Sequence, residues 1–546
     1  MTSASSHPRR DGLIGGPFVG GAADLPRRTG DVKPLFEGPE WDFKLINRCY
    51  DTMHGIAVGE MGLSIYPNQI EVITAEQMLD AYSSIGMPLM YRHWSFGKRF
   101  AYDDQMYRKG QRSLAFEIVI NSNPCINYIM EENTMTMQAL VIAHAAFGHN
   151  HFFKNNYQFQ QWTQADHILD YLAFAKSYVS ECEDRYGQEA VEYILDAAHA
   201  LMSQGISRQL VARPRNPAQR DAEKAMARLE HEERTHNVIY RTLPEINLGV
   251  PPDKANRDAS SPSNNPGEQR RLGLPEENIL YFLEKNAPKL TDWQRELLRI
   301  VRNLSQYFYP QRQTKMMNEG CATFVHYEIL NRMYERGLLT DGSMLEFLHS
   351  HSSVVFQPAF NDRRYSGLNP YALGFAMMRD IQRIATEPTA EDRAWFPEYA
   401  GNGDAMATLR DAWANYRDES FILQFLSPKV MRDFRMFSLK DDSKNPAVEV
   451  TAIHDEQGYR NVRRALARSY DVSLQDPDLQ VTDADLSGSR RLVITHTVRN
   501  GVTLDKTECE RTLQHLARLW GYRVRLIEVE PGATKVLREH EVLPMP

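Results

Sequence analysis

The chain carries VIAHAAFGHNHFFKNN at positions 141–156, which places His144, His149 and His151 in an otherwise apolar run. A lone histidine in such a run is commonly a core residue hydrogen-bonded to a carbonyl or carboxylate. Three together also make a donor set for a metal ion. A second segment, MMNEGCATFVHYEIL, holds Glu319 and His326 seven positions apart. Seven residues are nearly two helical turns, so His144 and His151 share one face, roughly 20° apart, as do Glu319 and His326 on theirs. His149 falls on another face unless the helix breaks near Gly148. Two such helices side by side would offer His144, His149, His151, Glu319 and His326 to one cation. Imidazole with carboxylate suits zinc, iron or manganese.

Asp166, His167 and Asp170 on the following helix are candidates to orient those ligands. The chemistry of such a site is hydrolysis or oxidation, with a carboxylate as base. Glu117, Glu131 and Glu132 are the nearest acids in sequence, and nothing in the spacing chooses among them. The pattern is not HExxH. HEERTH at 231–236 has its histidines five apart and reads as a solvated charged helix.

The elements that must position these residues are mostly helical. Thr74 with Gln77 three residues on forms a capping-box pattern after a short strand at 69–73. LAFEIVINSNP at 114–124 reads as a strand, NTMTMQALVIAHAAF as a helix, and DHILDYLAFAKSYVSECEDRYG as an amphipathic helix closed by Gly187. HWSFGKRF at 93–100 reads as a packed turn. A Pro-, Ser- and Asn-rich stretch within 203–275 reads as a loop-rich insertion. Long helical patterns resume after it.

Beyond 446 the pattern becomes strand–helix–strand–strand–helix–strand. The predicted fold class is therefore mainly α: a large helical domain with short strands over 39–446, then a small ferredoxin-like βαββαβ domain over 447–530. Residues 1–38 read as a disordered tail rather than an export signal despite Arg9 and Arg10, and 531–546 as a C-terminal tail.

Composition narrows the function. With 63 Lys and Arg against 71 Asp and Glu in 546 residues, the net charge is -8. That opposes a general nucleic-acid binder. The five cysteines form no CxxC pair, so neither a disulfide framework nor a thiolate zinc site is expected, and a reducing cytoplasmic setting fits. No apolar run is long enough for a membrane span. No phosphate-loop, GxSxG or GxGxxG motif is present, so no nucleotide cofactor is expected.

Four strings carry a family resemblance: YPNQIEVITAEQMLDAYSSIGMP, HWSFGKRF, LAFEIVINSNPCINYIMEENTMTMQALVIAHAAFGHNHFFKNN and YSGLNPYALGFAMMRDIQRIA. They resemble the SpoVR family (stage V sporulation protein R) over about 40–530. The resemblance implies a bacterial cytoplasmic protein with a large helical and a small C-terminal domain. It also implies a role in forming the spore cortex, a peptidoglycan layer. In bacteria without spores it implies a stress or stationary-phase programme beside a PrkA-type serine kinase and a von Willebrand A-type protein. It brings no catalytic residues to carry over. Two readings follow: a regulatory or assembly protein, and a metal-dependent hydrolase.

Overall fold

A computed structural model describes residues 32–84, 87, 90–108, 117–208, 272–440, 449–451, 455–486, 488–499, 501–532 and 535–544. The N-terminal tail up to 31, most of the 203–275 insertion and HEERTH lie outside the described residues. The chain forms two compact units: Met1–Ser180 with Tyr307–Gln475, and Glu181–Gln306 with Asp476–Pro546.

The first unit holds a three-stranded sheet in the order β1 (Asn68–Ile73), β3 (Cys125–Met130), β2 (Glu117–Ile120). β1 runs parallel to β3 and β2 antiparallel, with Glu117 opposite Ile129. Ile118 and Ile120 are buried on one face of β2, which puts Glu117 on the other. Thr74 and Gln77 form the expected capping box on the Ala75–Ser83 helix. HWSFGKRF is not a turn; it opens the Trp94–Arg108 helix.

The core is a stack of almost wholly buried helices. Met135–Ile142 is apolar all round, begins at the Thr134 cap and runs into Ala143–His149, where the hydrogen bonding widens to a π-helix. Asn150–Asn155 then resumes α geometry. The π segment packs on Lys315–Glu335, which packs in turn on Pro370–Thr386. Glycines set how closely: a Cβ on Gly148 would stand 2.5 Å from the Ala322 Cα, and one on Gly320 2.7 Å from the Gly374 backbone. The Lys315–Glu335 helix has no cap from its own N-cap residue. Asp418, from another helix, accepts from the Met316 and Met317 N–H groups at 2.9 Å each.

The second unit contains a four-stranded sheet in sequential order, β6 (Asp478–Ala484), β7 (Leu492–Thr497), β8 (Val524–Val529) and β9 (Val536–Val542). The Lys506–Trp520 helix makes the crossover between parallel β7 and β8, and the outer pairs are antiparallel. The mainly α class with a small α+β C-terminal part stands, but the ferredoxin-like βαββαβ order does not. Its supposed first strand and helix lie in the first unit. There β5 (Glu449–Thr451) pairs, among the described residues, with β4 (Ser438–Lys440), and the Glu456–Tyr470 helix packs on Asp418–Phe425. Arg463 fixes that packing by donating to the Leu426 and Leu423 carbonyls at 2.9 and 3.1 Å. The missing strand is β9, inside the expected tail. Only His540 and Val542 of its residues are buried, so its sequence carries little strand alternation.

Candidate metal centre

Glu117, His144 and His149 each present a ligand atom within 4.8 Å of the others. The π segment produces this arrangement. On an α-helix, residues five apart diverge by about 140°. An i→i+5 hydrogen-bonding pattern widens the turn, so that His149 comes round beside His144. Their ring centroids are 4.7 Å apart with the planes near perpendicular. The close contact at Gly148 then brings Glu319 against both rings. Its carboxylate lies 3.9 Å from His144 Nε2 and 3.7 Å from His149 Nε2, and the Glu117 carboxylate lies 3.7 Å from His144 Nε2. Ligands about 2.1 Å from a tetrahedral ion are about 3.4 Å from each other, close to these carboxylate–imidazole spacings of 3.7–3.9 Å.

The surroundings orient the rings. His149 Nδ1 donates to the Asn318 side-chain oxygen at 2.9 Å, which leaves Nε2 free to bind. Tyr371 hydrogen-bonds to Glu319. Asn369 and Pro370 place this tyrosine by capping its helix, Asn369 accepting from the Tyr371 N–H. His144 Nδ1 is 2.9 Å from His326 Nδ1, and His326 Nε2 is 2.9 Å from His351 Nδ1. Phe347 and Phe375 wall in the last two rings.

Burial governs the electrostatics. It pushes the Glu117 carboxyl up to about 8, with the Glu319 charge adding to it. Burial also drives His144 and His326 well below the usual imidazole range, with neighbouring imidazoles adding to the effect. His351 is lowered to about 3, by burial and then by Arg379. All three rings are therefore neutral near pH 7, the form that ligates or hydrogen-bonds without charge.

The structure thus brings His144, His149 and Glu319 together and places Glu117 beside them. It leaves His151 out. That ring turns toward Ser64, whose N–H it accepts at 3.1 Å, and meets Trp413 edge-on. The seven-residue spacing that paired His151 with His144 fails because the π segment intervenes. His326 sits behind His144, and both its nitrogens are taken up by other imidazoles. Glu131 and Glu132 are exposed; Glu132 accepts from the Ala75 N–H at a helix start. Asp166, His167 and Asp170 are exposed too, with Asp166 bonded to Asn123. Asn318, His351 and Tyr371 had no spacing signal. Asn318 was legible only as the neighbour of Glu319.

No helix among the described residues is long and apolar enough to cross a membrane. No solved structure matches the chain. It is 50% identical over 517 residues to "Uncharacterized protein YcgB" of Escherichia coli (strain K12), covering 94% of this chain and 98% of that one. A family model described as "SpoVR like protein" matches residues 40–475, and one described as "SpoVR-like C-terminal domain" matches 477–531. The two matches meet at Gln475–Asp476, one of the boundaries between the units, and together they span nearly all of the chain: it belongs to the SpoVR family.

Proposed function

We propose that Glu117, His144, His149 and Glu319 hold a divalent cation, zinc, iron or manganese, and that the chain is a metal-dependent hydrolase. The convergence of three ligand atoms within 4.8 Å, from a strand and a π-helix, carries this reading. A fourth ligand from a third element, Glu319, supports it. A bound cation of this kind makes water a nucleophile near neutral pH. The chain's own residues suit that task. The side chains of His144 and His149 are 6% and 9% exposed, against 20% and 18% for Glu117 and Glu319, so substrate approaches from the carboxylate side. Tyr371 holds Glu319 there by its hydrogen bond.

The setting we propose is the bacterial cytoplasm. There the activity would serve spore-cortex formation or a stress and stationary-phase programme, beside a PrkA-type kinase and a von Willebrand A-type protein. Membership of the SpoVR family is the support for this setting.

Metal analysis of the purified chain tests the centre. The expected result is one cation per chain, lost in Glu319→Ala and His149→Ala and kept in His151→Ala. Folded wild-type protein that takes up no zinc, iron or manganese on dialysis would overturn it.

A further inference from the structure

His144 can bind a cation through Nε2 only if its proton sits on Nδ1. We infer that His326 and His351 are positioning residues that fix this tautomer, an inference that rests on the proposed metal centre. Two neutral imidazole nitrogens 2.9 Å apart share one proton between them, and the three rings form an unbroken chain. His144 Nδ1–H donates to His326 Nδ1. That nitrogen can accept only if His326 carries its proton on Nε2, where it donates to His351 Nδ1. The reverse order would put a proton on His144 Nε2, aimed at the carboxylates and in the cation's place.

Burial removes water as a competing partner: His144, His326 and His351 are 4%, 2% and 2% exposed. His351 acts on the centre through His326, while His326 acts on His144 directly. Neither ring touches the cation. This also explains why His326 shares a helix face with Glu319 yet ends behind the ligands instead of among them.

The test combines cobalt(II) titration of the full chain, read by its visible absorption, with 15N spectra of histidine-labelled protein. His326→Leu should weaken cobalt binding by about 10- to 100-fold and alter the absorption spectrum, with helix content and melting temperature tracked alongside. His326→Asn, whose amide oxygen can stand where Nδ1 accepts, should recover most of the affinity. Wild-type affinity and spectrum in His326→Leu would overturn the inference. If His326→Leu does not fold, the 15N spectra of the wild type decide. A proton on Nε2 of His326 supports the forward order, and a proton on its Nδ1 overturns it. That measurement works on metal-free protein, so a failure of the metal centre itself, seen as no cobalt uptake by the wild type, is told apart from a failure of the relay.

Discussion

Gly148 and Ala322 meet backbone to backbone: a Cβ on the glycine would lie 2.5 Å from the Ala322 Cα and 2.9 Å from its Cβ. No side chain can be moved aside to relieve that contact. It sets the distance between the helix that carries His144 and His149 and the helix that carries Glu319 and His326.

Gly148→Ala should therefore cost about 1–3 kcal/mol and part the ligands. Urea denaturation would show the first effect and cobalt affinity the second. Gly59→Ala is the control, because a Cβ there meets nothing within 4 Å. Equal stability and affinity in Gly148→Ala would mean that the two helices are set apart by something else.

The carboxylates near the histidines in sequence should separate cleanly. Glu117→Gln should lower cation affinity by at least about tenfold, since it removes an acid that a cation could draw into ligation within 4.8 Å of both histidines. Glu131→Gln and Glu132→Gln, exposed and away from the cluster, should leave it unchanged. A drop in either of these two variants as large as that in Glu117→Gln would show the ligand set to be wrongly assigned.

Acid should weaken the first unit through Asp392. Burial raises this carboxyl, but the Arg383 guanidinium and Thr389 outweigh burial and hold it at about 2. The folded value lies below the unfolded value of about 3.9, so its stabilisation is fully present above that value and lost as pH falls toward 2. The contribution is about 2 kcal/mol. Urea midpoints between pH 5 and 3 should fall in the wild type, and less steeply in Asp392→Asn. Parallel curves would remove Asp392 from the account.

In the second unit, Glu528 is wholly buried between His496 at 3.0 Å and His540 at 3.5 Å, and accepts from the Leu504 N–H at 3.0 Å. Glu528→Ala strands two imidazoles and Arg538 without their acid and should cost about 3–5 kcal/mol. A denaturation midpoint within error of the wild type would show that the three strands do not depend on it.

The sequence by itself determined the local structure that follows from period and caps. The Thr74 capping box, the β1 strand, the helix closed by Gly187 at φ 87°, and the two helices bearing the candidate ligands are all read from residues adjacent in the chain. Helical periodicity along most of the chain also pointed to the mainly α class. What lay beyond it depends on partners distant in sequence. Helical periodicity assumes 3.6 residues per turn, so it paired His144 with His151; the π segment, packed on Ala322, paired it with His149 instead. Glu117 enters the cluster because β2 pairs with β3 and turns its opposite face to the histidines, a register that no helix spacing contains. The strand at 449–451 finds its partner at 438–440, and β9 is a strand because β8 supplies its hydrogen bonds rather than because its own residues alternate. Local propensity fixes an element's type where its own side chains carry the signal; which side chains meet is decided by the packing of backbones that only the folded chain brings together.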